Sequence, residues 1–241
     1  MTTLNGKYAL ITGACGGMGK AIVYQLAREG VNLILTDINT QKLKQIKNEL
    51  SEKGVVIEYI TADLTLKGRQ KQLIQSIISS FTRLNILVHS AGLIMQSSVA
   101  DTTDEKLEKL FKINLFVPFL LTRELLPLLK SSKGHIIFIN SSAVQRPIAN
   151  ISHYSASKHA MKGFADTLRE EVNPDGIRVT SFYPGKTATE MQQKLYKDNQ
   201  REYQPDKLIQ PDDIARAVIN VLTMPQTVEI TDVYMRPMQK S

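Results

Sequence analysis

The sequence predicts an α/β protein in which a mostly parallel sheet of seven strands is covered by helices on both faces. Short apolar runs alternate with longer segments of helical periodicity along the chain, as they do in βαβ units. Most of the apolar runs contain almost no polar residues, which is typical of strands buried on both sides. Because βαβ crossovers are right-handed, this order of elements favours a doubly wound sheet.

Each element follows from its own segment of sequence. The seven predicted strands are residues 8–11, 33–35, 55–60, 86–88, 136–139, 179–182 and 228–233. The helical patterns between them cover residues 18–28, 41–50, 70–81, 105–129, 154–172 and 212–222. No repeat or linker interrupts the 241 residues, so 1–241 are predicted to form a single domain. The polar stretch within 188–207 predicts a mobile loop or a short lid over a substrate.

Composition excludes several classes of protein. No apolar run approaches the roughly 20 residues that a membrane-spanning helix needs, so no membrane contact is expected. The one cysteine, Cys15, excludes an internal disulfide, and the chain opens on a strand rather than a signal peptide, so a cytoplasmic location is expected. The net charge is +7, but lysines alternate with acidic residues, which indicates a solvated surface and no nucleic-acid partner.

A glycine-rich segment follows the first predicted strand. It reads Thr-Gly-Ala-Cys-Gly-Gly-Met-Gly from Thr12 to Gly19. Glycines permit a tight turn and a close approach of the backbone to a pyrophosphate, which then meets free N–H groups at a helix N-terminus. An ordinary turn between strand and helix is the alternative. This segment predicts a bound dinucleotide.

Asp37 ends the second predicted strand, 18 residues beyond Gly19. An acid near that distance binds the hydroxyls of the adenosine ribose and repels a 2′-phosphate. A turn or helix-capping residue is the alternative reading of Asp37. The position favours NAD over NADP, while NADP remains possible.

Tyr154 and Lys158 lie four residues apart in the segment Tyr-Ser-Ala-Ser-Lys, so a helix presents both on one face. A free tyrosine titrates near pH 10, and an ammonium one turn away favours the tyrosinate and lowers its pKa. Alone, such a pair means little, because chance supplies it in many proteins; its interpretation as an acid/base centre depends on the motifs that accompany it.

Together with Ala91-Gly92, Asn114 and Ser141-Ser142, these motifs resemble the classical short-chain dehydrogenase/reductase family over almost the whole chain. The resemblance implies a Rossmann-type fold and a nicotinamide-dependent oxidoreductase that acts on CH–OH groups of a small alcohol or ketone.

The resemblance implies four catalytic residues, which are Asn114, Ser142, Tyr154 and Lys158. Ser142 would orient the substrate oxygen, and Lys158 would hydrogen-bond the nicotinamide ribose. Asn114 would distort its helix and hold a water that relays protons to the lysine. Ser142 lies 12 positions before Tyr154, whereas the family's serine most often lies 13 positions before its tyrosine. The residues that follow, Ala143-Val144, nevertheless favour Ser142 over Ser141 as the family's serine.

The family's cofactor contacts carry over to many positions of this chain. They are Gly13, Cys15, Gly16, Gly17, Met18, Gly19, Asp37, Ile38, Asp63, Leu64, Ser90, Ala91, Gly92, Tyr154, Lys158, Pro184, Gly185, Thr187 and Thr189. Candidate substrate-lining residues, chosen by position alone, are Ile94, Gln145, Tyr183 and Met191.

Two departures from the family pattern matter. His89-Ser90-Ala91-Gly92 replaces the usual Asn-Asn-Ala-Gly, a motif that mainly ties the sheet together. Residues 229–238 resemble the ending of a subgroup of hydroxy-acid and serine dehydrogenases, many of which use NADP, so an NADP-dependent reductase of the same family is an alternative.

Two more functions stay open beside these: a dinucleotide-sensing protein without turnover, and a sugar-nucleotide epimerase or dehydratase of the extended family. Family members usually assemble as dimers or tetramers, here through the helices at 105–129 and 154–172. The four histidines lack metal-site spacing, so no metal is expected, and His153 is expected on the surface or in a subunit contact. The sequence leaves the substrate open among steroids, sugar alcohols, hydroxy acids and fatty-chain ketones.

Overall fold

Seven parallel strands form one sheet in the order β3-β2-β1-β4-β5-β6-β7. The structure is a computed structural model that describes residues 3–239. Its strands are β1 Tyr8–Thr12, β2 Asn32–Asp37, β3 Ile57–Thr61, β4 Ile86–His89, β5 His135–Ile139, β6 Arg178–Pro184 and β7 Asp232–Met235. The predicted doubly wound sheet is confirmed, and all of these strands run parallel rather than most of them.

Eight α-helices are present in the described part of the chain. They are α1 Gly17–Arg28, α2 Thr40–Glu49, α3 Lys67–Ser80, α4 Asp104–Phe111, α5 Val117–Ser132, α6 Ser152–Val172, α7 Glu190–Asp198 and α8 Pro211–Leu222. No helix in residues 3–239 combines the length and the apolar character that crossing a membrane requires.

Alternate residues of each strand face opposite layers of helices. In β1, Ala9 and Ile11 pack in a core with α1, α2 and α8, while Leu10 packs in a second core with α3, α5 and α6. Both cores consist of buried and mostly aliphatic side chains, which explains why the strand segments form continuous apolar runs in the sequence.

The structure differs from the predicted elements in two places. The last strand was expected at 228–233, but it begins at Asp232, where Ser181 of β6 pairs with it. The helix expected at 105–129 is interrupted by a π-helical segment, Lys112–Phe116, between α4 and α5. Such a segment holds one extra residue per turn and re-aims the side chains inside it.

The strand order reverses between β1 and β4, the two strands that lead to the loops beginning at Gly13 and Ser90. In an open α/β sheet, ligands bind at the carboxyl edge beside this reversal. The fold therefore brings the glycine segment, Asp37 and the end of β5 to one edge of the sheet.

Candidate active site

A cleft of about 410 Å³ opens at the carboxyl edge of strands β1 to β4. Most of the expected cofactor residues line it: Gly13, Gly16, Gly17, Met18, Gly19, Asp37, Ile38, Asp63, Leu64, Ser90, Ala91, Gly92 and Thr189. The position of the cleft matches a dinucleotide laid across the point where the strand order reverses.

The glycine segment is shaped by contacts that no side chain would permit. Gly13 has a φ of +65°, and a Cβ there would lie 2.8 Å from the backbone of Ala91. A Cβ on Gly19 would overlap the carbonyl oxygen of Gly13. The residue that precedes α1 is Gly16, which has no side chain to cap the first N–H groups of the helix. The first residues of α1 line the cleft, so these N–H groups are available to an anion.

Asp37 forms the far end of the cleft. Its carboxylate accepts hydrogen bonds from the backbone N–H of Cys15, at 3.0 Å, and of Asn39, at 3.1 Å. These bonds fix the carboxylate against the glycine segment. Asp63 is held in a similar way by Thr65, whose hydroxyl and N–H lower the pKa of the carboxyl.

Cys15 is a poor nucleophile in this setting. Burial and the nearby Asp37 raise the pKa of its thiol to about 12, so almost none of it is thiolate near neutral pH. The helix N-terminus does not offset these two effects. The side chain serves as a small residue that fits the loop.

The segment after β4 is tied to β1 through Thr12. The Thr12 hydroxyl accepts from the N–H groups of Ser90 and Ala91, both at 3.2 Å, and donates to the carbonyl of Val88. His89 shares a 2.9 Å hydrogen bond with Thr122 and is fully enclosed, which lowers its pKa to about 3. This histidine is neutral and structural.

Tyr154 lies in the first turn of α6, and Lys158 lies one turn later. The Nζ atom of Lys158 is 5.9 Å from the centre of the Tyr154 ring and donates a 3.0 Å hydrogen bond to the carbonyl of Ile139. Lys158 is 5% exposed, and burial lowers its pKa to about 7. Near neutral pH its amine is therefore only partly protonated.

The expectation that Lys158 lowers the pKa of Tyr154 does not hold in the protein alone. Burial raises the pKa of Tyr154, and the opposing effect comes from the Ser141 side chain, which hydrogen-bonds the phenol. The physical reason is that the lysine is itself desolvated and holds its proton weakly.

The two candidate serines differ in their surroundings. Ser141, 13 residues before Tyr154, is the serine whose side chain lowers the pKa of the phenol, and its hydroxyl accepts from the N–H of Ala143 at 3.1 Å. Ser142 lies in the 3-10 turn that Ser141 caps. The assignment of Ser142 as the catalytic serine stays a prediction.

Asn114 lies in the π-helical segment and is 1% exposed. Its side-chain oxygen accepts from the N–H of Leu93 at 2.9 Å, and its amide donates to the Leu93 carbonyl and to Ser157. The Asn114 oxygen and the Lys158 Nζ both lie within 4 Å of where a Cβ on Gly92 would be. The helix distortion that the resemblance implied is present.

The segment after β6 approaches the glycine loop. Gly185 donates to the carbonyl of Met235 at 2.8 Å, and Thr187 is buried and donates to the carbonyl of Gly185. A Cβ on Gly17 would lie 2.5 Å from the Thr189 methyl, so this segment touches the glycine loop directly. Pro184, the last residue of β6, begins the turn.

An ion pair joins the two rims of the cleft. Lys42 of α2 contacts Glu190 of α7 at 3.0 Å, across 148 residues of sequence. Both side chains are largely exposed, so the pair adds little stability. It brings α7 over the cleft near Asp37.

A second cavity, of about 480 Å³, lies between the loop after β4 and α7. Two of the candidate substrate-lining residues, Ile94 and Met191, line it together with Lys106 and Lys194. Tyr183 was wrongly expected to face a substrate: it is fully buried in β6 and stacks on Tyr234 at 4.5 Å, because the strand continues through this residue.

Gln145 and His153 flank the candidate catalytic residues. Gln145 is exposed at the end of the turn after β5. His153 was expected at the surface or in a subunit contact, but it is buried within the chain: it is 5% exposed, and its Nε2 makes a 3.0 Å hydrogen bond with the carbonyl of Met95. It thereby ties the start of α6 to the loop that lines the second cavity.

A family model described as short chain dehydrogenase matches residues 7–200 of the chain. The chain belongs to the short-chain dehydrogenase family. An uncharacterized oxidoreductase of Staphylococcus epidermidis is 30% identical over 238 residues, which is 98% of this chain and 100% of that protein. A diacetyl reductase ((S)-acetoin forming) of the same species is 35% identical over 191 residues, 78% of this chain and 74% of that protein.

Solved structures of short-chain dehydrogenases agree with the fold. An alcohol dehydrogenase from the archaeon Thermococcus sibiricus, in complex with 5-hydroxy-NADP, superposes with a TM-score of 0.87 at 27% identity and covers 98% of both chains. A metagenomic short-chain oxidoreductase in complex with NADP has a TM-score of 0.85 at 29% identity, covering 99% of this chain and 100% of that one. The chain is therefore an oxidoreductase of this family with an NAD(P)-type cleft.

Proposed function

We propose that this short-chain dehydrogenase transfers a hydride between NAD and the carbon of a small alcohol or ketone, with Tyr154 as the acid/base. The observation that carries the proposal is the meeting of the Tyr154 phenol, the Ser141 hydroxyl and the buried amine of Lys158 near the cofactor cleft. These are the groups that carbonyl–alcohol interconversion needs around a reacting oxygen.

The residues of the cleft fit a nicotinamide dinucleotide. Gly13, Gly17 and Gly19 let the loop pack closely beside the cleft, because a Cβ at these positions would collide with Ala91, Thr189 and the Gly13 carbonyl respectively, and the N-terminus of α1 lies at the same cleft. Asp37 would hold the adenosine ribose, and the turn from Pro184 to Thr189 would hold the carboxamide. When bound, the nicotinamide supplies or accepts the hydride.

In the oxidation direction, Tyr154 takes the hydroxyl proton of the alcohol while the C–H bond breaks and its electron pair leaves as hydride. In reduction, Tyr154 returns that proton to the carbonyl oxygen. A serine hydroxyl donates to the same oxygen and orients it. Lys158 would pass the proton on toward solvent through a water held by Asn114, and the position of both side chains on the same side of Gly92 supports this.

Ser141 is the serine favoured for this role, in place of Ser142. We expect Ser141→Ala to lower kcat by about 100-fold, as loss of one donor to a developing oxyanion does, and the matched Ser142→Ala to change it by less than about threefold. Steady-state rates of the two variants decide between them. A larger loss in Ser142→Ala would restore the assignment made from the sequence.

NAD is proposed over NADP because Asp37 presents a carboxylate where a 2′-phosphate would lie, and Gly16 and Ile38 carry no positive charge. Both solved relatives described above bind NADP or its derivative, which keeps NADP as the alternative. Lys42 is paired with Glu190, which raises its pKa, and it lies close enough to Asp37 for that charge to raise the pKa further.

The test is nicotinamide absorbance with NAD and NADP over a panel of alcohols and ketones, with diacetyl first because a relative bears that name. Turnover with NAD at the higher kcat/KM is the expected result. Turnover that favours NADP would refute the cofactor assignment. Absence of turnover on every compound, with dinucleotide binding intact, would favour a sensing protein.

We further propose that the whole chain acts as one domain, that α7 is the lid over the substrate, and that the protein works in the cytoplasm as a homodimer or homotetramer. Phe116 and Phe119, near the start of α5, are 57% and 47% exposed, which supports a subunit contact there. Light scattering should give a multiple of 27.0 kDa.

A further inference from the structure

A crevice of about 300 Å³, separate from the cofactor cleft and from the second cavity, lies at the amino edge of the sheet. We call it the amino-edge crevice. It is formed where β1, β4, β5 and β6 begin, at Lys7, Asn85, His135 and Arg178. The segment that follows α8, including Gln226, closes one side. The chemistry proposed for the carboxyl edge makes no use of this crevice.

The crevice gathers positive charge. Lys7, Lys133 and Arg178 line it, and its lining within residues 3–239 includes no aspartate or glutamate. Burial lowers the pKa of Lys7, and the positive charge of Arg178 lowers it further. Like charges that share a partly buried space repel each other, so the arrangement is costly without an anion between them.

Two side chains in the crevice keep unpaired polar atoms although they are more than nine-tenths buried. Arg178, 9% exposed, uses one Nη atom to contact the carbonyls of Met224, Pro225 and Val228, but its Nε makes no hydrogen bond. His135, 3% exposed, donates from Nε2 to Thr180, whose own hydroxyl donates to the Ile230 carbonyl, so its unpaired Nδ1 is an acceptor and cannot donate to an anion. The Nε of Arg178 is a buried lining donor that has no partner within residues 3–239, and such a donor indicates a missing ligand or water.

One acid acts on this cluster from outside the crevice. Glu229 raises the pKa of Arg178 by its charge, and its two oxygens accept from the N–H of Val179 at 2.7 Å and from the amide of Asn173 at 2.9 Å. It also lies 3.9 Å from Arg169, so its charge is shared between two arginines. Glu229 does not line the crevice, and the three cations therefore meet no acid among the lining residues.

We infer that the amino-edge crevice binds a tetrahedral oxyanion, such as phosphate or the phosphate group of a small metabolite, between Lys7 and Arg178. Arginine and lysine form the strongest hydrogen bonds to such anions, and the volume admits one with bound water. The site is separate from the cofactor cleft and goes beyond the proposed function.

The test is calorimetric titration of the full chain with inorganic phosphate, in the presence of saturating NAD and at constant ionic strength. NAD occupies the α1 N-terminus, so phosphate cannot gain heat there. We expect saturable binding by the wild type and by the control Lys53→Gln, whose lysine is exposed in the 3-10 turn Ser51–Lys53 and does not line the crevice. Lys7→Gln should weaken binding about tenfold, because it removes one charge-assisted bond.

One further variant and one further ligand make the test more specific. Lys7→Glu places a carboxylate beside Arg178, so it should abolish phosphate binding and raise the Tm measured without phosphate, which loss of a structural contact would not do. Glycerol phosphate, compared with free phosphate, tells whether the site takes an ester. No saturable binding in the presence of NAD, or equal binding by Lys7→Gln and Lys53→Gln, would overturn the inference.

Discussion

Lys158 is held in the active site at a cost in stability. Its ammonium would ordinarily titrate at 10.5, and burial lowers the pKa to about 7 in the folded protein. The unfolded chain therefore binds more protons than the folded chain between about pH 7 and pH 10.5, so the free energy of unfolding rises across that range. Below about pH 7 the folded protein carries a buried charge, and the penalty is complete.

The magnitude follows from the two pKa values. A difference of about 3.5 between 10.5 and about 7 corresponds to at most about 5 kcal/mol. Replacing Lys158 by Met removes this penalty but leaves the Ile139 carbonyl without its donor, which costs about 1–3 kcal/mol. Lys158→Met should therefore be more stable than the wild type by about 2–4 kcal/mol below about pH 7.

The assay is urea unfolding of the cofactor-free protein below about pH 7 and near pH 10. The advantage of Lys158→Met should shrink as the pH rises, because the wild-type lysine then loses its proton. Lys162→Met is the matched control on the same helix: Lys162 is partly exposed and paired with Asp166, so its loss should cost about 0–1 kcal/mol and bring no gain. A Lys158→Met protein that is less stable at neutral pH, or stabilised equally at both pH values, would refute the reasoning.

Two further predictions concern the glycine segment. Gly19→Ala should abolish dinucleotide binding and lower the Tm, because the added methyl overlaps the Gly13 carbonyl. The control Gly163→Ala, where the methyl meets open space in α6, should raise the free energy of unfolding by about 0.5–1 kcal/mol. Thermal unfolding of both variants with and without NAD measures these effects. Alkylation of Cys15 by iodoacetamide near neutral pH should be much slower than that of free cysteine, because its pKa is raised to about 12, and mass spectrometry that finds rapid labelling would contradict this.

Much of the fold followed from periodicity. The strands are buried on both faces, so their apolar runs mark them plainly, and six of the seven predicted strands fall on observed ones with small shifts at their ends. The last strand was misplaced because Val228 and Ile230 are apolar loop residues. Its register is decided by pairing between Ser181 and Asp232, which a local pattern does not contain.

The site was less predictable where local geometry decides. Helical spacing placed Tyr154 and Lys158 one turn apart, as α6 has them, because both lie on a regular element. Ser141 and Ser142 are adjacent in an irregular segment, so the choice between them depends on the 3-10 turn that Ser141 caps, which spacing alone does not describe. Tyr183 reads like a loop residue beside Pro184, yet β6 continues through it.

The most direct test of the proposed mechanism is the turnover of Tyr154→Phe beside the wild type, with the cofactor and substrate found in the panel. The variant keeps the ring but loses the hydroxyl that carries the proton, so NAD should bind with unchanged affinity while kcat falls by at least about 100-fold. Turnover of Tyr154→Phe near the wild-type rate would contradict the central claim that this phenol is the acid/base of the reaction.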